Sequence, residues 1–576
     1  MKKIVPAFPI LLVLLLGLAA AAPAFDLTIL HVNDTHSYLE ATPETLSLDG
    51  ARTGVLLGGW ARLATAVDRV RAGGGNVALL HAGDAVQGGL YFLRYGGEPE
   101  MRLLDRLGFD AMTLGNHEFD RGTAFLAGML RQTKVPVVDA NVGAPGAPAL
   151  AERLRPYVVL DYAGERVGVV GLTTADTRFT SSPGPGVTFA DEAASARAAV
   201  AGLTAMGVNK IILLTHVGLA RDEQLAAEVP GVDVIVGGHS HTLLGDGAKL
   251  GALGLNPAAP YPVKVKGPDG GDVPVVTAWK WARVLGRLDV TFDDKGRVTA
   301  CAARPLLLAA DEFQRKDAAG NRVPLAGDVL AGAERAVRAS GVADVVPEQA
   351  ATLAFLAPYD RGVEAMRRDV VGRAAADLPH IRVPGVTPAG LDLPHGSLLA
   401  PLVARSMLAR LARTGEPADL ALLNTGGVRE SILRGDISVG TAYTVLPFNN
   451  TIFLLAMPGR TLRAALEYGV TRGNGAFPAV AGARYTADMT RPEGQRITRV
   501  EVLRDGAWQP LEPDQTYRVA TNAYLAGGGD GYAMLKDVPD RYDTGFVDAQ
   551  AFIDLVRAES PLAPPTDTGV TYIPAK

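Results

Sequence analysis

Histidine, aspartate and asparagine residues recur in the first half of the chain at points where apolar, strand-like stretches end. Eight residues share this position: Asp34, His36, Asp84, Asn116, His117, His216, His239 and His241. Five of the 9 histidines of the chain therefore stand at predicted strand ends in one region. Because ligands of open α/β sheets bind just beyond the carboxyl ends of the strands, we expect these side chains to converge on one site.

The donor atoms of this set are nitrogen and oxygen, with no sulfur, which suits Zn, Mn, Co or Fe better than Mg or Ca. The donors are too many for one tetrahedral site. Two divalent metal ions that share a bridging carboxylate, roughly 3.5–4 Å apart, account for them economically. Such a pair lowers the pKa of a bound water and neutralises phosphoryl oxygens. The sequence therefore predicts two divalent metal ions, with the choice among Zn, Mn, Co and Fe left open.

His117 and Asp120 are predicted to act on the substrate. His117 follows the candidate ligand Asn116, so its ring can face the substrate, and Asp120 lies one helical turn further on. A carboxylate at that spacing can orient an imidazole for proton transfer. His31 and His81 stand inside the predicted strands, and we interpret them as core or supporting histidines.

Strands and helices alternate through this region, which predicts a layered α/β domain. The predicted strands are 27–32, 77–81, 135–140, 166–172, 210–214 and 232–236, and the predicted helices include 58–71, 101–107 and 190–206. Residues 275–281 and 286–292 are predicted to form a strand pair that closes the domain. A helical segment interrupted by Pro347 and Pro358 then leads to a second α/β region, with strands 420–423 and 517–521 and a helix at 461–470.

Length, charge and the first residues limit the location and partners of the protein. The 576 residues predict two to four domains, and the net charge of -5 gives no reason to expect nucleic acid. Lys2 and Lys3, an apolar run and Ala22-Pro23-Ala24 form the pattern of a secretory signal peptide, 1–24, and an uncleaved anchor helix is the alternative. The sequence favours a periplasmic or secreted protein with no membrane attachment after cleavage, and it gives no oligomeric state.

The motifs in order, Asn-Asp-x-His, Gly-Asp, Gly-Asn-His-Glu, Thr-His and Gly-Gly-His-Ser-His, resemble the calcineurin-like metallophosphoesterases. Nearly all of the chain after residue 24 is similar to the bacterial secreted 5′-nucleotidase family. The resemblance implies a four-layer α/β/β/α sandwich followed by a second α/β substrate-binding domain. It implies one metal on Asp34, His36, Asp84 and His241, the other on Asp84, Asn116, His216 and His239, and His117 with Asp120 as the catalytic pair.

The second domain resembles the family's nucleoside-binding half. Asn424-Thr425-Gly426-Gly427-Val428-Arg429 matches its Asn-x-Gly-Gly-x-Arg stretch, and the resemblance implies that Asn424 and Arg429 bind substrate. Arg429 would hold a phosphate or carboxylate with its planar fork. Phe448 and Tyr524 match a pair of base-stacking aromatics, with core packing as the alternative. Asp530 matches a residue that accepts from ribose hydroxyls.

One departure concerns the phosphate-binding arginines that relatives carry upstream. The corresponding region, 391–398, has none, and only Arg382 lies near, at a different spacing. The predicted organisation is a signal peptide (1–24), a metallophosphoesterase domain (25–324), a helical connecting segment (325–368) and a C-terminal 5′-nucleotidase domain (369–576).

The predicted function is metal-dependent hydrolysis of nucleoside 5′-monophosphates to nucleoside and phosphate, with a small-molecule nucleotide as partner. UDP-sugars, cyclic nucleotides and dinucleotides stay open as further substrates. Two alternatives are a thiosulfohydrolase on the same scaffold, which has less use for Phe448 and Tyr524, and a non-catalytic nucleotide-binding protein. Swinging of the second domain onto the metals is a further hypothesis.

Overall fold

The computed structural model describes residues 24–181, 183–317, 322–387, 390–448 and 450–575. The predicted signal peptide, apart from Ala24, lies outside the described residues. Within the described ranges, no helix is both long and apolar enough to cross a membrane.

Two sheets form the centre of the amino-terminal half. The first has 12 strands, ordered Thr42–Leu48, Ala51–Leu57, Leu306–Lys316, Val284–Phe292, Phe25–Val32, Val77–Ala82, Ala111–Thr113, Val137–Val138 and Leu154–Arg155, with Val298–Ala303, Arg322–Pro324 and Ala343–Val345 attached at the side. The second has 6 strands, ordered Val263–Lys266, Asp272–Val276, Val234–Val236, Lys210–His216, Glu165–Thr173 and Tyr157–Tyr162. Most of the predicted strands are present, although the one predicted at 135–140 is reduced to Val137–Val138.

The two sheets pack face to face and helices cover their outer faces. Ile29 and Leu80 of the first sheet share one buried apolar cluster with Val169 and Ile212 of the second. The helices of this half are Trp60–Ala72, Leu90–Tyr95, Glu98–Leu107, Gly122–Leu130, Pro148–Ala151, Thr177–Thr180, Glu192–Ala205, Leu219–Glu228, Gly247–Ala252, Gly327–Ala339 and Ala350–Arg367. This is the predicted four-layer α/β/β/α sandwich, and it is confirmed.

Parallel strands bring the candidate ligands together at one edge of the sandwich. Phe25–Val32, Val77–Ala82 and Ala111–Thr113 run parallel in the first sheet. Lys210–His216 and Val234–Val236 run parallel in the second. Because parallel strands end at the same edge, the loops after these five strands converge.

The strand pair predicted at 275–281 and 286–292 is wrong. Asp272–Val276 belongs to the second sheet, whereas Val284–Phe292 pairs with Phe25–Val32 in the first. Between them Trp279, Trp281 and Ala282 have positive φ values of 60°, 61° and 53°. A strand cannot continue through left-handed residues, so the chain crosses from one sheet to the other at this point.

Two parts of the predicted connecting segment, 325–368, pack on the amino-terminal half. Ala343–Val345 joins the first sheet by pairing with Leu306–Lys316. Pro358 does not interrupt the helix Ala350–Arg367, because it lies on the exposed side, where the carbonyl that loses its amide partner meets water. Tyr91 Oη donates to Asp360 Oδ1 at 2.6 Å, which fixes this helix to the amino-terminal half.

The carboxyl-terminal half has its own two larger sheets. One has 5 strands, ordered Pro478–Ala481, Leu420–Asn424, Thr516–Asn522, Thr451–Pro458 and Asp540–Val547, and the other has 4, ordered Ala507–Pro510, Ile497–Arg504, Ala483–Asp488 and Val570–Ile573. Two 2-stranded sheets of this half pair Val370–Ala374 with Gly435–Ser438 and Gly385–Val386 with Asp392–Leu393. A further 2-stranded sheet, in the amino-terminal half, pairs Val142–Gly143 with Thr188–Phe189. The helices are Ala400–Arg413, Val439–Val445, Gly459–Arg472, Ala523–Ala526, Ala533–Lys536 and Asp548–Glu559. The α/β character predicted for this half is confirmed.

Candidate active site

The candidate ligands form two adjacent clusters. One is Asp34, His36 and His241 and the other is Asp84, His216 and His239, with the ligand atoms of each cluster within 4.8 Å of one another. His36 Nε2 lies 3.7 Å from Asp34 Oδ1 and 3.7 Å from Asp84 Oδ2, so the two clusters meet at His36 and Asp84.

Asn116 extends the second cluster. Its Oδ1 lies 3.0 Å from His239 Nδ1. All seven residues predicted as metal ligands therefore occupy one region at the carboxyl ends of the strands.

The backbone at this site is unusually strained for non-glycine residues. Five of the candidate ligands have positive φ values between 48° and 77°: Asp34, His36, Asp84, His239 and His241. Left-handed backbone of this kind costs on the order of 1–3 kcal/mol for each residue and clusters at functional sites. The surrounding packing therefore holds these side chains in place at the expense of local stability.

The glycines before the ligands are required by close packing. A side-chain methyl at Gly115 would overlap the carboxylate of Asp84, and one at Gly83 would lie 2.5 Å from His216 Nδ1. The recurrent pattern of strand, glycine and ligand thus reflects the space that the converging loops share.

The donor set fits divalent metal ions. His216 Nδ1 lies 2.7 Å from the carbonyl oxygen of Ala82 and donates to it, so Nε2 is the nitrogen left to face a metal. That Nε2 and Asp34 Oδ1 are buried and accept no hydrogen bond from any described residue. The other oxygen of Asp34 accepts from Asn33 Nδ2 at 2.6 Å and from the amide of His239 at 3.0 Å. These contacts orient the carboxylate and leave one oxygen for an ion.

The charge states also suit metal binding. Burial raises the pKa of Asp34 and Asp84, but the neighbouring histidines outweigh it and hold both pKa values well below the usual range. Burial lowers the pKa of His239 to about 4 and lowers that of His241 as well. Burial lowers the pKa of His216, but the charge of Asp84 outweighs it and raises the pKa to about 9, so this imidazole must lose a proton when an ion binds. Ionised carboxylates beside neutral imidazoles are the forms that bind divalent ions.

Glu118 supports this site, a role that the sequence reasoning missed. Its carboxylate is buried and accepts hydrogen bonds from the amides of Asp84, Ala85 and Gly115 at 3.0, 2.8 and 2.6 Å, and from Val86 at 3.4 Å. It thereby ties the Asp84 loop to the loop that carries Asn116. Its place in the Gly-Asn-His-Glu motif was the available signal.

His117 and Asp120 form the predicted pair. His117 Nδ1 lies 2.9 Å from Asp120 Oδ2, and Ser181 donates to the other oxygen of Asp120 at 2.8 Å. Burial lowers the pKa of His117, but the charges of Asp120 and Asp84 outweigh it and place the pKa well above 6.5. The imidazole can therefore hold a proton on Nε2 at neutral pH, while Nδ1 donates to Asp120.

The two remaining strand histidines are supporting residues, as predicted. His31 Nε2 lies 2.8 Å from Tyr261 Oη, and His81 Nε2 lies 3.0 Å from Thr35 Oγ1. Both are fully buried, and burial lowers the pKa of each to about 3. They act as neutral hydrogen-bonding groups behind the ligand loops.

The carboxyl-terminal half presents the predicted substrate residues on a common cavity. Phe448 and Tyr524 are each 48% exposed, which excludes the alternative that they are core residues. They line a cavity of about 1030 Å³ together with Asn424, Arg429 and Asp530. Arg429 Cζ lies 5.6 Å from the centroid of the Phe448 ring.

Asp530 is held by two other residues of this group. Tyr524 Oη donates to its Oδ1 at 2.9 Å and Asn424 Nδ2 donates to its Oδ2 at 2.9 Å. Asn424 is itself buried and accepts from Asn522 Nδ2 at 3.0 Å. Asn424 therefore orients Asp530.

Arg382 lies in the same cavity as Arg429, which its spacing in the sequence did not reveal. Its Nη1 donates to Asn474 Oδ1 at 3.2 Å, and its carbonyl accepts from Thr425 Oγ1 at 2.8 Å. Burial and the charge of Arg382 lower the pKa of Arg429. Two guanidinium groups thus line this end of the cavity, despite the absence of the expected upstream arginines.

Comparisons with known proteins agree with this geometry. Residues 27–243 match the calcineurin-like phosphoesterase family, and residues 379–537 match the family described as 5′-nucleotidase, C-terminal domain. A probable 5′-nucleotidase of Treponema pallidum is 37% identical over 569 residues, which cover 96% of this chain and 95% of that protein.

Two solved structures resemble the whole chain. The NAD nucleotidase of Haemophilus influenzae has a TM-score of 0.80 and 34% identity, with 96% of this chain and 100% of that one covered. A 5′-nucleotidase precursor from Thermus thermophilus has a TM-score of 0.59 and 40% identity, with 95% and 99% covered. The family and the two ligand clusters indicate a dinuclear divalent metal site. The chain therefore belongs to the 5′-nucleotidase family of nucleotide-hydrolysing metallophosphoesterases.

Proposed function

We propose that the protein hydrolyses nucleoside 5′-monophosphates to nucleoside and phosphate in the periplasm or outside the cell. The observation that carries this proposal is the position of Asp84 where the two clusters of candidate ligands meet, with the His117–Asp120 pair directly beside it. His117 donates its backbone amide to Asp84 Oδ1 at 3.0 Å, which couples the pair to the shared carboxylate.

The metal ligands are the residues that the sequence predicts. Asp34, His36, Asp84 and His241 would hold one ion, and Asp84, Asn116, His216 and His239 the other. Zn, Mn, Co and Fe all suit these donors. When bound, the ions would supply a water of lowered pKa and neutralise phosphoryl oxygens.

The chain's own residues carry the proton and the nucleoside. Asp120 keeps His117 protonated and correctly oriented, and His117 Nε2 donates the proton to the ribose oxygen that leaves phosphorus. Arg429 and Arg382 bind the phosphate, Phe448 and Tyr524 pack on the base, and Asp530 accepts from ribose hydroxyls. The exposed aromatic pair favours this function over thiosulfohydrolysis, which gives such a pair less use.

The organisation follows the same proposal. Residues 1–24 are removed as a signal peptide, a step that the name of the T. thermophilus precursor supports. The metallophosphoesterase domain comprises residues 25–324, and the nucleoside-binding domain comprises residues 369–576. A helical segment, 325–368, connects the two domains. The dinucleotides that the sequence left open as substrates stay within the proposal, because a relative of 34% identity is named an NAD 5′-nucleotidase. UDP-sugars and cyclic nucleotides stay open as further substrates.

Metal analysis and a substrate panel test the proposal. The purified protein should contain two equivalents of divalent metal, and Asp84→Asn should reduce that number and abolish turnover. AMP should release phosphate far faster than bis(p-nitrophenyl) phosphate. A single metal equivalent, or equal rates on both esters, would contradict the dinuclear nucleotidase assignment.

A further inference from the structure

One cation of the amino-terminal half faces the same cavity without an anionic partner. Lys280 lines the cavity that also holds Phe448 and Tyr524, and it is only partly exposed. Its Nζ lies 4.1 Å from the centroid of the Trp281 ring. Within the part of the chain that the structure describes, this ammonium group forms no ion pair and donates no hydrogen bond. It is therefore available to a ligand.

The contact with Trp281 does not satisfy the ammonium group of Lys280. The face of a ring attracts a cation, but the three N–H donors of a lysine also need acceptors, and an aromatic ring offers no strong one. A partly buried charge without a hydrogen-bonding partner is unfavourable. An anion bound in the cavity would supply both the opposite charge and the acceptors.

Lys280 is attached to the loop that carries the first candidate metal ligands. The amide of Trp281 donates to the carbonyl oxygen of Asp34 at 2.8 Å. Asn33 Nδ2 donates to the carbonyl oxygen of Trp279 at 2.8 Å. The backbone on both sides of Lys280 is thus held by that loop, which fixes the lysine beside the candidate ligands.

The backbone around Lys280 adopts a costly conformation. Trp279 and Trp281 are both left-handed, which is rare for bulky residues and is most often found at functional sites. Arg283 supports this conformation, because it donates to Glu44 Oε2 at 2.7 Å and its Cζ lies 4.6 Å from the centroid of the Trp281 ring. Since Glu44 neutralises Arg283, the cation that this stretch offers to a ligand is Lys280.

The charge of Lys280 acts on both halves of the protein at the site. Burial lowers the pKa of His241, and Lys280 is among the positive charges that lower it further. Burial also lowers the pKa of Lys280 to about 8, and Asp34 and Asp543 are among the charges that oppose this shift. Asp543, in the carboxyl-terminal half, accepts from Thr451 Oγ1 at 2.6 Å. Lys280 is therefore close enough to the metal ligands and to the other half to contact a group bound between them.

We propose that Lys280 binds a non-bridging phosphoryl oxygen of the substrate and thereby favours phosphate monoesters over phosphate diesters. This rests on the proposed function, in which a nucleotide occupies the cavity with its phosphate beside the candidate metal ligands. A monoester offers three acceptor oxygens and a charge of about −1.5 to −2 at pH 7, whereas a diester has one oxygen fewer and a single negative charge. Lys280 acts on the oxygen and the charge that a diester lacks. An ammonium group suits this task, because it binds phosphate as a point charge.

Matched kinetics on AMP and bis(p-nitrophenyl) phosphate at pH 7 test this role. Lys280→Met keeps the apolar part of the side chain and removes the charge. It should lower kcat/KM for AMP by about tenfold or more, the size expected for loss of one hydrogen bond to a charged group, and change kcat/KM for the diester less than about twofold. Lys280→Gln should show the same pattern, and Lys280→Arg, which keeps the charge, should lose less on AMP than either. Lys295→Met, at an exposed turn, is the control and should change neither substrate.

Orthophosphate supplies a readout that does not depend on turnover. Its Kd for the metal-loaded protein, measured by isothermal titration calorimetry at pH 7, should rise by about tenfold or more in Lys280→Met. The metal content of the same samples should equal that of the parent, because Lys280 is assigned to the phosphate and not to the ions.

The outcomes separate this role from the proposed function. Equal losses on AMP and the diester, or a lower metal content in Lys280→Met, would mean that Lys280 only supports the metal-binding loop. An unchanged kcat/KM for AMP, or an unchanged Kd for orthophosphate, would mean that Lys280 contacts no phosphoryl oxygen. Each of these results overturns the proposal. Failure of the parent protein to hydrolyse AMP would instead refute the proposed function, and the orthophosphate titration would still decide the role of Lys280.

Discussion

The backbone of Gly545 lies directly against the imidazole ring of His117. A side-chain methyl at Gly545 would overlap Cε1 of His117, and Gln87 Nε2 donates to the carbonyl oxygen of Gly545 at 3.1 Å. Gly545 belongs to Asp540–Val547 of the carboxyl-terminal half, so one half covers the proposed proton donor of the other. His117 is accordingly only 5% exposed. We expect a phosphate ester to reach His117 Nε2 only after the two halves move apart here.

Gly545→Ala should therefore expose His117. The added methyl group cannot fit against the ring, so the contact between the halves should open. Modification of His117 by diethyl pyrocarbonate, followed by peptide mass spectrometry, should become several-fold faster than in the parent. Gly506→Ala is the control, because Gly506 has a similar φ of 76° with no atom near its missing side chain. Unchanged modification in Gly545→Ala would show that this contact does not limit access.

The pH dependence of turnover should report the His117–Asp120 pair. Burial lowers the pKa of His117 but Asp120 and Asp84 raise it well above 6.5, so the protonated form should persist through neutral pH and be lost as the pH rises through that raised value. Asp120→Asn removes the strongest raising charge. The alkaline limb of kcat should then move to lower pH, and kcat at neutral pH should fall by about 10²–10⁴-fold. An alkaline limb at the same pH in both proteins would contradict this role.

Glu118 should contribute strongly to stability without touching the substrate. Glu118→Ala leaves buried amides of two loops without acceptors, each of which costs about 1–3 kcal/mol. We expect a loss of at least about 3 kcal/mol in the free energy of unfolding, measured with urea on the metal-free protein. Glu493→Ala, at an exposed position, should change it by less than about 0.5 kcal/mol. Equal stabilities of the two variants would refute the role of Glu118 as the link between the loops.

Asp139 should make stability fall as the pH rises. Burial raises the pKa of Asp139 to about 7, against 3.8 for an ordinary aspartate. Because the folded state binds the proton more tightly, the stabilisation is fully present below about pH 4 and is lost as the pH rises through about 7. Thr173 Oγ1 lies 2.5 Å from Asp139 Oδ2 and 2.6 Å from the carbonyl oxygen of Leu114, which suits a protonated carboxyl that donates to Thr173.

Asp139→Asn tests this assignment, because an amide also donates to Thr173 and does not ionise. Between about pH 4 and pH 8 the free energy of unfolding of the variant, measured with urea, should rise relative to the parent by at most ~4 kcal/mol. Asp505→Asn, at an exposed turn, is the control, and its free energy of unfolding should change with pH in the same way as that of the parent. A parallel profile for Asp139→Asn would show that Asp139 is ionised in the folded protein.

The convergence of the candidate ligands could be predicted from sequence, because each of them stands a few residues at most beyond a short apolar strand. Parallel strands then bring these residues together, because such strands end at one edge of each sheet. The crossing of the chain from one sheet to the other at residues 279–282 could not be predicted. Apolar residues next to a strand resemble its continuation, and no residue type at these positions indicates a left-handed backbone. The contact of Gly545 with His117 joins distant parts of the chain, and so does the approach of Arg382 to Arg429. Only tertiary packing determines these.

Phosphate release from AMP by residues 25–576 tests the central claim most directly. The parent should release phosphate with added Mn²⁺ and none with EDTA. His117→Ala should lower kcat by orders of magnitude, and Phe448→Ala should act mainly by raising KM, since the ring binds the base in the ground and transition states alike. Metal-dependent release that is insensitive to both substitutions, or no release from AMP at all, would contradict the account. In that account one metal centre hydrolyses a nucleotide whose base packs on Phe448 and whose leaving oxygen takes a proton from His117.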